Sequence, residues 1–224
     1  MKKNLVPSLL ALALTASLLP IAAHAQLIIS EVDPIGSSAS YGADWFELKN
    51  IGASAVNLTG WKMDDNSASF SLAVALRGIT SIAAGQSVVF LEGNASGTTD
   101  ATIDANFISA WFGGSAPGGF TVANYGGSGV GLSATADAVN IYNSTGTLQA
   151  GVTFGASTTG FTFDNAAGLS GAISQLSAAG VNGAFLSFNG LETGSPGAVP
   201  EPGTFALASL GLAALWGFRK RNRS

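Results

Sequence analysis

Apolar residues fall into three regimes along this chain. From Leu5 to Ala23 they run almost unbroken, interrupted by Pro7 and Pro20. Between residues 26 and 198 they split into short runs separated by Gly, Asn, Ser and Asp clusters. From Thr204 to Phe218 they form a second uncharged run. Short apolar runs bounded by turn residues predict β-strands. Here they predict strands at 27–32, 45–50, 55–58, 61–63, 87–91, 138–142, 148–154, 161–163 and 185–188. Phe46 and Leu48 alternate with Glu47 and Lys49, and Val139 and Ile141 with Asn140 and Tyr142, the period of a two-faced strand. Asn143-Ser144-Thr145-Gly146 lies between two such runs and predicts a hairpin loop. Ile103, Phe107, Ile108, Trp111 and Phe112 are spaced as on a helix, which predicts one or two helical turns over 103–112. No long amphipathic helix and no repeat of fixed period is visible. Many short strands with turns between them predict an all-β sandwich rather than a βαβ fold.

The two ends read as export signals. Lys2 and Lys3 precede the first apolar stretch, and Ala23-His24-Ala25 places small residues where a signal peptidase reads them. Residues 1–25 are therefore expected to be a signal peptide, cleaved to leave Gln26 first. Near the other end, Val199-Pro200-Glu201-Pro202-Gly203 breaks the chain, the run 204–218 follows, and Arg219-Lys220-Arg221-Asn222-Arg223-Ser224 closes it. Fifteen residues at about 1.5 Å each give roughly 22 Å, short of a hydrocarbon core near 30 Å. Trp216 and Phe218 at the interface and snorkelling Arg and Lys stems make up part of the difference. A single transmembrane helix is expected, its basic tail (Arg219, Lys220, Arg221, Arg223) cytoplasmic and the preceding chain outside.

Charge narrows the function classes. Residues 26–198 hold twelve acidic and three basic residues, a formal charge of −9. Nucleic acid and anionic head groups should repel such a segment. The chain has no Cys, and its one His is His24 in the leader. The expected mature form therefore lacks Ser-His and Cys-His catalysis, His- or Cys-bound zinc, haem on His, and disulfides. Asp44 and Glu47, three apart on a strand, fall on opposite faces, poor for acid–base work. Asp64, Asp65 and Asn66, and Asp100 with Asp104, offer clustered oxygens of the kind extracellular calcium takes. Neither group has the spacing of a known calcium loop, and solvated acids are the commoner use. The Gly pairs at 113–114, 118–119 and 126–127 lack a following Lys-Ser or Lys-Thr and form no phosphate loop.

Pro200-Glu201-Pro202, the short apolar run and the Arg-rich terminus together resemble the PEP-CTERM sorting signal of Gram-negative bacteria. The resemblance covers residues 199–224. It implies recognition by exosortase near Pro200, Glu201 and Pro202 after signal peptidase has acted at the other end. It also implies a transient inner-membrane form, then the outer surface or extracellular matrix of a bacterium that makes exopolysaccharide or biofilm. A second resemblance lies in the exported segment. Ile28-Ile29-Ser30-Glu31-Val32, Asp44-Trp45-Phe46-Glu47-Leu48-Lys49-Asn50 and Asn57-Leu58-Thr59-Gly60-Trp61-Lys62-Met63-Asp64-Asp65 resemble the opening of the lamin-tail domain. Ile82 to Phe90 fits its next strand, 138–154 its later hairpin, and Ser195-Pro196-Gly197 its closing Pro-Gly. This resemblance implies an immunoglobulin-like β-sandwich over 26–198. Residues 92–132 depart from the pattern as a long Gly-rich insertion. Gly60 is expected to make the turn that folds Trp61 into the core, with Trp45 and Trp61 as large core residues.

The favoured reading is an exported, non-catalytic surface or matrix protein, structural or adhesive in exopolysaccharide or biofilm, with exopolysaccharide or other matrix proteins as partners. A second is a polysaccharide-binding module, with or without calcium, which exposed Trp111, Tyr125 and Tyr142 on one face would support. A hydrolase is disfavoured by the missing His and Cys and the lack of paired inward carboxylates. No cofactor and no resident metal is expected, calcium being the open alternative.

Overall fold

The structure, a computed structural model, describes residues 27–127 and 129–198. In chain order the elements are β1 (Leu27–Asp33), β2 (Trp45–Asn50), β3 (Val56–Asn57), β4 (Lys62–Asp64), β5 (Val74–Arg77), β6 (Ser81–Ile82) and β7 (Ser87–Gly93). Helix α1 (Asp100–Phe112) follows, then β8 (Val122–Gly126), β9 (Asp137–Tyr142), β10 (Leu148–Phe154), β11 (Phe163–Asp164), β12 (Gly171–Ile173), β13 (Phe185–Leu186) and β14 (Thr193–Gly194). The hydrogen-bonded order is β11-β1-β2-β7-β8-β5-β4-β9-β10-β12. Strand β5 turns the corner. Its Val74 and Ala75 pair with β4, and its Leu76 and Arg77 pair with β8. The ladder thus folds into two sheets, and β1 packs against β10 across the space between them. The result is consistent with the immunoglobulin-like sandwich expected.

Alternation fills that space. Ile29, Val32, Phe46, Leu48, Phe90 and Tyr125 point in from the first sheet, and Met63, Val139, Ile141, Val152 and Phe154 from the second. Trp61 joins them, delivered by a turn in which its N–H bonds Leu58 O and Gly60 takes a φ of 77°. A Cβ penalises that left-handed conformation, hence the glycine. The β9–β10 hairpin closes as expected, with Asn143 Oδ1 accepting from the backbone of Thr145 and Thr147.

The sequence reading needs correction at residues 92–132. They contain a 13-residue helix and the strand β8. Strands β7 and β8 pair in parallel, and α1 is the crossover that parallel neighbours require. The domain is therefore mostly β with one helical layer, not all-β, and it holds one βαβ unit. The helix runs for 13 residues, longer than the one or two turns expected. Its apolar spacing begins only at Ile103. The first turn is held by a contact distant in sequence: Asp100 receives Arg77 Nε at 2.6 Å and Nη2 at 2.7 Å. The helix ends at Gly113, whose φ of 67° suits glycine and where a side chain would strike the Phe188 ring. Ile103, Phe107, Ala110 and Trp111 face the outer side of the first sheet and meet Tyr41, Trp45, Val89 and Leu91 there. The sandwich thus carries a third, helical layer with its own core.

Candidate functional site

The same outer face carries acids. A bulge in β1 between Ile29 and Glu31 shifts the alternation, so Ile29 and Val32 enter the inter-sheet core while Glu31 and Asp33 point the other way. In the β1–β2 register Glu31 stands opposite Glu47 and Asp33 opposite Trp45. Glu31 and Glu47 are both buried, at 0% and 2% exposure. Two carboxyls on facing positions normally repel. Here the chain's own closing segment covers them.

Glu31 Oε1 accepts from Thr162 Oγ1 at 2.5 Å and from the Ser195 backbone N–H at 2.7 Å, and Oε2 accepts from Ser195 Oγ at 3.0 Å. Glu47 Oε1 accepts from Ser30 Oγ at 2.6 Å, and Oε2 from the Gly197 N–H at 2.5 Å. Gly197 has a φ of 74°, and a Cβ there would run into Phe120, so the close approach requires glycine. Burial pushes Glu31 up to about 8, and the Glu47 charge adds to this against the Thr162 and Ser195 hydrogen bonds. Burial raises Glu47 as well, offset by hydrogen bonds from Ser30 and Gly197.

A second acid group sits beside it. The Tyr41 hydroxyl lies 3.1 Å from Asp33 Oδ2 and 2.7 Å from Glu192 Oε1, and it accepts from Trp45 Nε1 at 3.2 Å. One hydroxyl proton serves one carboxylate, so the other acid is stabilised by holding its own proton. Burial, then the Glu192 charge, raises Asp33 in that direction. These groups can store protons and tie strands together. Among the described residues the ion pair, Arg77–Asp100, lies elsewhere.

The sequence reading, which looked for paired inward carboxylates, overlooked a buried pair on the outer face, Glu31 and Glu47. Adjacent strands bring them together, whereas of the Asp44–Glu47 pair considered in the sequence only Glu47 is on β2, Asp44 preceding it. The signal was available in the matching positions of the two opening motifs, had their strands been paired. The proposed aromatic face is also overturned. Trp111, Tyr125 and Tyr142 are 1%, 0% and 7% exposed, because the first fills the helix layer and the second the inter-sheet core. The oxygen clusters have internal partners except at Asp64 Oδ1, which is buried without a hydrogen bond. Asp64 Oδ2 accepts from Ser67 Oγ and Ser69 N, capping the turn after its strand, and Asp65 Oδ1 accepts from Ser67 N. Asp100 is tied to Arg77, and Asp104 accepts from Asn124 Nδ2. Among the described residues no group of three or more His, Cys, Asp or Glu is placed to hold a metal ion.

The family model for the Lamin Tail Domain matches residues 20–156, more than half the chain. The chain belongs to the Lamin Tail Domain family. In this lamin-tail protein the motifs around Trp45 and Trp61 lie within the match. Residues 157–198, which supply Thr162, Glu192, Ser195 and Gly197 to the buried acids, lie beyond it. A second model, the PEP-CTERM protein-sorting motif, matches residues 198–222. That match includes Pro200, Glu201, Pro202, Arg219, Lys220 and Arg221, and it implies export and exosortase processing. Among curated proteins no relative matches the sequence. The signal-cleavage residues Ala23 and Ala25, the sorting triplet 200–202 and the basic tail through Arg223 lie outside the described residues. No helix among the described residues is long and apolar enough to cross a membrane.

Proposed function

We propose that this lamin-tail protein is a non-catalytic surface or matrix component with a structural or adhesive role in exopolysaccharide or biofilm. Residues 204–218 anchor it in the inner membrane until exosortase acts. The observation that carries the reading is the sorting motif at 198–222, which starts four residues after β14 (Thr193–Gly194). Against catalysis, the paired carboxyls Glu31 and Glu47 spend their oxygens on Thr162, Ser195, Ser30 and Gly197 of the same chain. The polysaccharide-binding alternative loses the three aromatics it relied on, which are buried. The reading calls for no cofactor.

Removal of residues 199–224 is expected to change the protein's destination and leave its fold unchanged. Full-length and truncated protein would be followed in membrane, matrix and medium fractions of hosts with and without the sorting enzyme. Mass spectrometry of secreted material should find Gln26 first and no peptide containing Arg219 or Arg221. Identical distributions of the two forms would overturn the sorting role.

A further inference from the structure

Phe188 and Leu191, at 75% and 67%, are the most exposed large hydrophobic residues among those described, and Leu186 beside them is 57% exposed. All three ride on the β13–β14 hairpin. Alternation sets their direction: Phe185 packs on Trp111 and Phe112, Ser187 is buried, and Leu186 and Phe188 are left outside. The hairpin is held in place. The Phe188 N–H bonds Trp111 O at 3.1 Å and the Asn189 N–H bonds Ala110 O at 3.0 Å, both at the C-terminal end of α1. Exposure of these apolar side chains is therefore imposed by the backbone, and clustered exposed apolar residues on a soluble domain mark an interaction surface.

The chain leaves the domain just past the base of this hairpin, with Ala198 beside Gly183. Leu186 pairs with Thr193 and Phe185 with Gly194, and the Gly197 N–H is held by Glu47. Five residues, Val199 to Gly203, separate Ala198 from the uncharged run. Fully extended they span about 20 Å, so a domain anchored by that run has its exit edge within this distance of the bilayer. The edge is uncharged on its surface. From 165 to 198 the chain carries one charged residue, Glu192, and it is 8% exposed. Nothing there resists head groups, although residues 26–198 as a whole are strongly acidic.

We infer that Leu186, Phe188 and Leu191 form a membrane-resting edge: the anchored protein lies with its exit hairpin against the outer leaflet rather than hanging from a free linker. The inference rests on the anchoring reading of residues 204–218. The absence of Cys allows a clean test. Full-length protein with one introduced cysteine, at Phe188, Leu191, Leu72 or Leu210, would carry an environment-sensitive fluorophore. It would be reconstituted in vesicles of phosphatidylethanolamine and phosphatidylglycerol containing spin-labelled lipid. Leu72, on the turn between β4 and β5 and 62% exposed, is the reference. Probes at 188 and 191 should be quenched at least threefold more than the probe at 72, with 210 quenched most. Strong quenching at 210 with equal quenching at 72, 188 and 191 would overturn the edge alone. Loss of the 188 and 191 signal on diluting protein in lipid would assign the surface to a second copy instead, also overturning it. An unquenched probe at 210 would defeat the anchoring reading, and the edge with it.

Discussion

Trp45→Ala is expected to destabilise the domain by about 3–5 kcal/mol, the range for truncating a buried large aromatic. That is a large part of the roughly 5–15 kcal/mol that holds a domain folded. Trp45 is fully buried, and its ring meets Phe107 at 5.7 Å and Trp111 at 6.0 Å, both edge-on. Its indole N–H also donates to Tyr41, so the substitution strips a donor from the hydroxyl shared by Asp33 and Glu192. Trp61→Ala should fall in the same range through the inter-sheet core. The two residues lie in different clusters, so their effects should add within about 0.5 kcal/mol. Denaturant midpoints for the single and double variants check this, with Leu72→Ala as an exposed control expected to move stability by less than about 0.5 kcal/mol. A loss below 1 kcal/mol at Trp45 would mean that the helical layer does not contribute to the fold as described.

The second large effect is on pH. Glu31 has an ordinary value of 4.5 and is raised to about 8 in the folded chain. Between those values the unfolded chain has released a proton that the folded chain keeps. The stability it provides is thus fully present below 4.5 and is lost as pH rises towards 8. The loss is at most about 1.4 kcal/mol per pH unit per group. The acids around it act in the same direction: Glu47, Asp33 and Glu192 are all raised, burial being the largest cause for each. Lys49 beside Glu47 is lowered by burial, and as a base it begins from 10.5. Melting temperature should therefore fall steadily from pH 5 to pH 8. Glu31→Gln mimics the protonated acid. Its carbonyl can accept from Thr162 and Ser195, and its amide can donate to Ser195 Oγ. The variant should match the parent at pH 5, exceed it at pH 8, and show a shallower slope. A variant that is less stable than the parent at pH 8 would show that Glu31 is held ionised.

What the sequence revealed depended on how local the cause was. The strands at 45–50 and 148–154 were placed to the residue because their alternation is complete within the strand itself. Strands β5, β6, β12 and β14 were missed. They run two to four residues, too short to display an alternation of their own. Parallel strand β8, with Gly at its end and Asn in its middle, is extended because β7 and α1 present an edge to it. The acid site was hidden for the same reason. Glu31 and Glu47 each sit in a recognisable motif, but only strand register puts them face to face, and residues 162 to 197 together with Ser30 make that tolerable. Aromatic identity alone does not say which side of a sheet a residue occupies, so the burial of Trp111, Tyr125 and Tyr142 is set by the fold and is not legible in the sequence.

The contacts that cover Glu31 and Glu47 join residues 164 and 150 positions apart. A chain emerging from its N-terminus makes β1 and β2 first and Ser195 and Gly197 last. Until those final residues arrive, the two acids face water, and pairing them against each other is unfavourable while both are charged. Folding of this domain is therefore a late, long-range event that cannot finish on the first half of the chain. It is expected to be slow for a protein of this size. The segment that completes it is also the one that leads directly into the sorting motif, so the end of folding and the arrival of the address coincide in the same few residues.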